Sequence, residues 1–396
     1  MRMCDKRIKL EIGLDAKFEE FFEYDYSQIE IKSYDCNQLH YDDFFKKHML
    51  RNLPCLIKNI TQTWKCSQLW VENDTINYDY FIKQYGQMEA PVADCNQINF
   101  NAQCKSDMKV ENYMSYLRSK SSEKLLYLKD WHLRRLTLDN YFYEVPEVFA
   151  SDWLNEYAID TKDDDFMFVY IGPKNSWTPF HADVYTSYSW SVNVTGRKKW
   201  ILLPPGEEDK LKDTLGNLPL LFDSEKFHNI NYFEIIQEKG DGLFVPSGWH
   251  HQVFNDLDTI SINHNFVNAC NIEIVWNSLL KNLISVEHEI KEFREMPEFT
   301  SQCQLILKSV FGMNFESFVN FIIHIAQKRL DHINGDTSLL FNVYCLEKNH
   351  ICFDLKNILK IIKSVQNHHL FLKDILSPNT VLKLLNIEQA INETLK

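Results

Sequence analysis

Long apolar stretches are missing from this chain of 396 residues. No run approaches the roughly 20 apolar residues of a membrane-spanning helix, and Met1 to Glu20 carries charges where a secretory signal has an apolar segment. Basic residues are also outnumbered, since 42 Lys and Arg against 55 Asp and Glu give a net charge of −13. We therefore expect neither a membrane nor a nucleic acid as a direct partner.

Closely spaced cysteines are absent as well. Ten cysteines run from Cys4 to Cys352 without a Cys-x-x-Cys motif, which disfavours a structural zinc site and predicts reduced thiols. Together with the missing signal segment, this pattern predicts a cytoplasmic protein and leaves a nuclear location open. We also find no internal repeat, low-complexity run or Gly/Ser linker.

Strand-like segments dominate the middle of the chain. They are rich in β-branched and aromatic residues, and glycines and prolines separate them. The predicted strands are 53–58, 124–128, 166–171, 187–194, 198–203, 243–246, 250–254 and 259–266. Many short strands with turns between them predict an α+β protein built on a double-sheet jelly roll or barrel.

The last part of the chain has a helical period instead. Five apolar residues at three- and four-residue spacing predict one apolar helix face, and Ser377-Pro378 predicts a helix start. The five are Phe311, Phe315, Phe318, Ile322 and Ile325. We predict three regions, namely a mixed α/β support for the barrel at 1–124, the barrel domain at 125–285 and a helical region at 286–396.

The segment Trp177–Asp183 carries the first chemical signal. His181 and Asp183 are two residues apart, and side chains at this spacing on a strand point the same way. Two imidazoles and one carboxylate occupy one face of an octahedral metal, which leaves three positions open for a co-substrate and O₂. The pattern predicts a non-haem Fe(II) site whose third ligand comes from the later segment Val245–His251.

That later segment offers two adjacent histidines. His250 and His251 would alternate faces on a strand, so only one of them can face inward, and the residues alone leave the choice open. Two further histidines are nearby, but we expect His264 to be a packed core residue and His228 to be solvated in a polar loop.

A lysine completes the set of candidate residues. An open Fe(II) site needs an electron source for O₂, usually a 2-oxo acid, whose far carboxylate requires a cation. Lys198 follows the turn at Gly196 and shares a strand face with Trp200, which favours an interior position for this cation. The alternative is that Lys198 is a solvent-facing member of the basic run 197–199.

Together these residues resemble the JmjC family of Fe(II)- and 2-oxoglutarate-dependent oxygenases. The matching positions are Gly172–Asp183, Trp190, Gly196–Trp200, Pro204, Gly240-Asp241, Pro246–His251 and Asn255. In similar proteins the third ligand follows a proline, two residues, a tryptophan and a bulky residue. The resemblance therefore implies His181, Asp183 and His251 as ligands, with His250 in the bulky slot.

The resemblance implies further site residues and a fold. The residues implied to contact 2-oxoglutarate are Lys198, Thr178, Tyr127, Asn263 and Asn193. Asn193 is included because Ser191 replaces the asparagine that relatives carry just after the strand tryptophan. The implied fold is a double-stranded β-helix, the cupin-like jelly roll. The implied cofactors are Fe(II), 2-oxoglutarate and O₂, with no catalytic side chain beyond the iron ligands.

The resemblance also implies an activity. The branch of the family that the chain is most similar to consists of lysyl hydroxylases of the eukaryotic translation release factor, which promote translation termination. A cationic lysine would suit an acidic mouth at 163–165 or 207–209, although such runs are more often solvated turns. The alternatives are an N-methyl-lysine demethylase, which uses the same iron, and a JmjC-fold binding module without catalysis.

Overall fold

Two facing β-sheets form the centre of the computed structural model, which describes residues 8–13, 26, 29–99, 102–119, 123–137, 141–335, 344–372 and 375–396. Most of the segment 1–20, as well as Cys4, lies outside these residues. The strands are β1 (Ile8–Leu10), β2 (Lys32–Asp35), β3 (Cys55–Lys58), β4 (Val71–Glu72), β5 (Thr75–Ile76), β6 (Glu89–Asn99), β7 (Ala102–Lys109), β8 (Leu126–Trp131), β9 (Met167–Gly172), β10 (Trp177–His181), β11 (Tyr188–Thr195), β12 (Lys198–Leu203), β13 (Phe233–Gln237), β14 (Gly242–Val245), β15 (His250–Asn255), β16 (Thr259–Phe266) and β17 (Tyr344–Leu346).

Helices flank these sheets and form the C-terminal region. They are α1 (Tyr41–Phe44), α2 (Lys65–Leu69), α3 (Tyr78–Tyr85), α4 (Val110–Ser119), α5 (Leu133–Leu136), α6 (Trp153–Thr161), α7 (Ile272–Glu289), α8 (Phe299–Phe311), α9 (Phe315–Ile333), α10 (Lys348–Asn367) and α11 (Pro378–Thr394). Ser377 caps α11 by accepting a hydrogen bond from the Thr380 amide, as expected for a Ser-Pro helix start.

The larger sheet has nine strands in the order β2-β3-β14-β11-β16-β9-β8-β6-β7, and the smaller has the order β10-β15-β12-β13. Each predicted strand segment coincides with an observed strand, and the predicted jelly-roll fold is confirmed. Strands from the first 110 residues extend the larger sheet at both edges, so this part of the chain is continuous with the barrel.

Strand β11 shows how the sequence separates core from site. Tyr188, Trp190 and Val192 are almost completely buried and lie within the main hydrophobic core. Ser191 and Asn193 alternate with them and face the other sheet. Burial of each large apolar side chain contributes about 1.5–3 kcal/mol, so the outer face holds the sheet in place. The inner face is free to carry polar groups.

The predicted apolar stripe of the C-terminal region belongs to two helices, so the expectation of a single helix face was wrong. Phe311 ends α8 and Phe315 begins α9, and both are buried. Gly312 between them has φ +90°, a left-handed conformation that ends the first helix. A Cβ at Gly312 would lie 2.7 Å from the Tyr185 ring, so the turn also packs closely against the barrel.

A buried ion network attaches the helices to the barrel. Arg329 of α9 donates to both carboxylate oxygens of Glu156 in α6, at 2.9 and 3.0 Å, and to Asp354 of α10 at 2.7 Å. All three side chains are almost inaccessible to solvent. Separately from both large sheets, the N-terminal strand β1 pairs in parallel with β17 of the C-terminal region.

In the part of the chain that the structure describes, no single helix is both long and apolar enough to cross a membrane. Helices α8 and α9 meet the criterion only when taken together, and they are bent by 65°.

Candidate metal centre

Three candidate ligands come together at the open edge of the smaller sheet. His181 ends β10, His251 lies in the adjacent antiparallel strand β15, and the two are cross-strand partners. Their ring centroids are 4.4 Å apart, and one ligand atom from each of His181, Asp183 and His251 lies within 4.8 Å of the others. The spacing matches a facial arrangement of two imidazoles and one carboxylate.

Asp183 reaches this cluster by a route other than the predicted one. Strand β10 ends at His181, and Asp183 lies beyond it, where the chain enters a short 3₁₀ turn at 184–186. Strand alternation therefore does not orient its carboxylate. Instead the Ser189 hydroxyl donates to one carboxylate oxygen at 2.6 Å, and the Asn265 amide donates to the other at 2.9 Å.

The hydrogen bonds of both histidines leave one nitrogen for a metal. Nδ1 of His181 lies 2.7 Å from the Pro179 carbonyl, and Nδ1 of His251 lies 3.0 Å from the Trp249 carbonyl. A carbonyl only accepts, so Nδ1 carries the proton and Nε2 keeps its lone pair. Burial, with a further contribution from the neighbouring His251 ring, lowers the pKa of His181 to about 4. The donor set therefore fits a divalent transition metal.

The other histidines lie away from the three ligands. His250 is on the opposite face of β15, where its ring stacks on Phe180 at 5.5 Å. His264 is buried, and its Nε2 lies 2.5 Å from the Tyr143 hydroxyl. His228 is exposed in a loop.

Lys198 points into the barrel. It is 2% exposed, and its ammonium donates to the Ser261 hydroxyl of β16 in the larger sheet at 2.6 Å. Burial lowers its pKa to about 7, and no charged neighbour in the described part of the chain opposes that effect. A buried cation whose hydrogen-bond partner is a neutral hydroxyl, with no carboxylate paired to it in the described part of the chain, is poised to bind an anion.

Two hydroxyls implied by the family resemblance lie on the same inner surface. The register of β10 against β15 shifts between Thr178 and His181, so both residues pair with inward-facing residues of β15 although they are three apart. Tyr127 of β8 is 2% exposed. The Tyr127 ring packs directly against the backbone of Gly172. A Cβ at position 172 would lie 2.6 Å from this ring, so only glycine leaves room for it.

The remaining two predicted contacts are amides on the inner face. Asn263 is partly buried and donates to Ser261, the hydroxyl that Lys198 also contacts, at 3.0 Å. Asn193 is fully buried and donates to the main chain of Gln237, the register partner of Lys198. Its carbonyl oxygen and the Ser191 hydroxyl are buried and lack a hydrogen-bond partner among the described residues. Buried polar atoms without a partner are rare, so these two indicate that a polar ligand supplies the missing hydrogen bonds at this end of the barrel.

Sequence reasoning missed three residues. Ser189 and Asn265 orient the Asp183 carboxylate, and Ser261 holds the Lys198 ammonium. A usable signal was present, since Ser261, Asn263 and Asn265 alternate on one strand and so share a face.

The two acidic runs make local ion pairs. Asp164 pairs with Arg135, and buried Asp165 lies 2.7 Å from Nδ1 of His132. Glu207 pairs with Lys210 at 2.6 Å.

The chain matches a family model described as a cupin-like domain over residues 41–272. It is 40% identical over 385 residues to the 2-oxoglutarate and iron-dependent oxygenase JMJD4 of Gallus gallus, covering 90% of this chain and 91% of that protein. Identity to the JMJD4 protein of Homo sapiens is 44% over 311 residues, covering 73% and 74%. A protein of Arabidopsis thaliana named arginine-specific demethylase JMJ20 is 37% identical over 320 residues, covering 74% and 69%.

Proposed function

Because the chain belongs to the cupin-like JmjC family of 2-oxoglutarate and iron-dependent oxygenases, and within it to the JMJD4 group, we propose that it hydroxylates a protein lysine at a side-chain carbon. The proposed substrate is the eukaryotic translation release factor, and the proposed result is more efficient termination. Such a substrate places the protein in the cytoplasm, and neither a nucleic acid nor a membrane is needed as a direct partner.

The observation that carries this proposal is the convergence of His181, Asp183 and His251 at one edge of the barrel. These three residues would hold the iron, and Lys198 with Thr178 and Tyr127 would hold the far carboxylate of 2-oxoglutarate. When bound, iron and 2-oxoglutarate use O₂ to insert one oxygen atom into a substrate C–H bond and release succinate and CO₂.

The chain's own residues contribute orientation and shielding. Ser189 and Asn265 hold Asp183 by its carboxylate oxygens, so the ligand does not rotate away. The Trp200 ring lies 5.5 Å from the His251 ring and helps to exclude water between the ligands and Lys198. Lys198 is pre-positioned by Ser261, which lowers the ordering cost of binding a dicarboxylate.

The test is mass spectrometry of purified release factor after incubation with the protein, Fe(II) and 2-oxoglutarate in air. We expect one added oxygen on one lysine and an equal amount of succinate. The His181→Ala variant is the control and should give neither product. A release factor that gains no oxygen would overturn the proposed substrate, even if succinate were still produced.

A demethylase is the second candidate, favoured by the name of the Arabidopsis relative. Hydroxylation of an N-methyl carbon uses the same iron and releases formaldehyde. Methylated histone peptides, carrying methyl groups on arginine or on lysine, should give stoichiometric formaldehyde if this activity is present. Hydroxylation of the release factor without formaldehyde from these peptides would favour the lysyl hydroxylase.

A further inference from the structure

A carboxylate with an unusual backbone lies beside the candidate site. Asp130 is near the end of β8 and has φ +60°, a left-handed conformation that is uncommon for aspartate. The register of β8 against β9 shifts between Leu128 and Trp131, so Asp130 lies in a β-bulge. Bulges frequently redirect a side chain next to an active site.

Tyr170 connects this carboxylate to the co-substrate end of the barrel. Its hydroxyl donates to Asp130 Oδ1 at 2.6 Å. The Lys198 ammonium lies 5.7 Å from the centroid of the Tyr170 ring. The Tyr127 ring packs edge-on against the same Tyr170 ring, with 5.9 Å between the two centroids. The Asp130 carboxylate is therefore one side chain away from the groups that we assign to 2-oxoglutarate.

The same strand supplies an aromatic wall. Phe168 and Tyr170 face the barrel interior and are only partly buried, whereas Met167, Val169 and Ile171 on the opposite face are at most 3% exposed. The partial exposure shows that the inner face of β9 borders open space. An unbranched alkyl chain packs well along two aromatic rings, and a cationic end group would then meet the Asp130 carboxylate.

In the free protein the Asp130 carboxylate is already paired with a lysine of the chain itself. Lys105, about half exposed on edge strand β7, forms an ion pair with the second oxygen of Asp130. The neighbouring Lys129 is buried and donates instead to Gln103 at 2.8 Å. Replacing the Lys105 ammonium by another ammonium leaves the local charge unchanged, so the partly buried Asp130 carboxylate keeps a cationic partner throughout.

We propose that Asp130, oriented by Tyr170, receives the ammonium group of the substrate lysine, which displaces Lys105. The aliphatic part of the substrate side chain then lies along Phe168 and Tyr170. This inference rests on the proposed lysyl hydroxylase function and names the residue that selects a lysine.

The experiment measures kcat and KM for the release factor with the full-length enzyme. We expect Asp130→Asn to raise KM about 10-fold, because a partly buried charge partner is lost. Lys105→Ala should lower KM by up to about fivefold, because it removes a competing half-exposed ammonium. Lys109→Ala, a half-exposed lysine on the same strand that contacts Gln87, is the matched control and should leave KM unchanged.

An uncharged competitor separates recognition from folding. Release factor with its target lysine changed to methionine should inhibit wild-type enzyme and Asp130→Asn enzyme equally, because neither complex forms the ion pair. A KM that is unchanged in both Asp130→Asn and Lys105→Ala, measured while the wild type still oxidises the lysine, would overturn the inference and leave the proposed function standing. If the wild type oxidises no lysine, both the proposed function and this inference are wrong.

Discussion

Replacement of Lys198 by methionine removes the ammonium group that we assign to the far carboxylate of 2-oxoglutarate. The side chain is 2% exposed, and its one hydrogen-bond acceptor among the described residues is the Ser261 hydroxyl, so water cannot replace the lost charge. Removing one partner of a buried charge pair costs about 3 kcal/mol, which corresponds to a roughly 150-fold loss of 2-oxoglutarate affinity.

The pH dependence of this affinity follows from the same burial. Burial lowers the pKa of Lys198 from 10.5 to about 7, so the free protein loses the ammonium proton as the pH rises above 7. Only the charged form pairs with a carboxylate, and the protonated fraction falls roughly 25-fold between pH 6.5 and 8.5. Apparent affinity for 2-oxoglutarate should fall by a similar factor over this range.

The stability of the free protein should change in the opposite direction. Because the pKa of Lys198 is lower in the folded protein than in the unfolded chain, the wild type loses stability as the pH falls from 10.5 to 7, and the loss is complete and constant below pH 7. Lys198→Met should therefore raise the melting temperature at pH 6.5 while it weakens 2-oxoglutarate binding.

Isothermal titration with 2-oxoglutarate in the presence of Mn²⁺, repeated from pH 6.5 to 8.5, measures both effects on binding. Lys198→Arg is the matched control, because arginine stays charged throughout and should abolish the pH dependence even where its shape reduces affinity. Unchanged affinity in Lys198→Met, or a flat profile in the wild type, would refute the reasoning.

Three further predictions concern the metal ligands and the core. His181→Ala should abolish succinate production while circular dichroism stays unchanged. Asn265→Ala should lower metal affinity about 10- to 100-fold in a metal titration, because the Asp183 carboxylate loses an orienting donor. Arg329→Leu should destabilise the protein by about 3 kcal/mol in urea unfolding, because two buried carboxylates lose their arginine partner and keep only weaker contacts to Lys328 and His350.

Each of these has a contrary outcome and a control. Asn320→Ala, on a helix far in sequence from the ligands, should leave metal affinity unchanged, and an equal loss there would point to a general effect. Arg135→Leu breaks a half-exposed ion pair with Asp164 and should cost less than about 1 kcal/mol. A similar small cost for Arg329→Leu would contradict the network's role. Undiminished succinate production by His181→Ala would refute the metal assignment.

The sequence predicted those parts of the site that depend on local pattern. Strand alternation allowed only one of His250 and His251 to face inward, the family resemblance implied His251, and the structure brings His251 to His181. Asp183 was predicted for a reason that does not hold, since it lies past the end of its strand. Its orientation depends on Ser189 and Asn265, which lie on different strands far apart in sequence, so no local pattern indicates that they meet at Asp183.

The less predictable part of the fold depends on long-range pairing. Strands β2, β3, β6 and β7 have ordinary strand patterns, but no local feature indicates that they join one nine-stranded sheet. The spacing from Phe311 to Ile325 fitted one helix, and only the left-handed Gly312 divides it. Loop conformation of this kind is set by packing against Tyr185 and not by hydrophobic period.

The parallel pairing of β1 with β17 ties the N-terminal segment to the C-terminal region, so neither end can be removed without breaking this pair. A fragment cut to the matched region 41–272 would lose Lys32–Asp35 from the edge of the larger sheet, and it would lose every helix after the barrel. Glu156 would then lose its arginine partner, and the apolar surface that the C-terminal helices cover would be exposed to water. The oxygenase unit must therefore be expressed with both flanks, and shortening either end should yield aggregates instead of a smaller working enzyme.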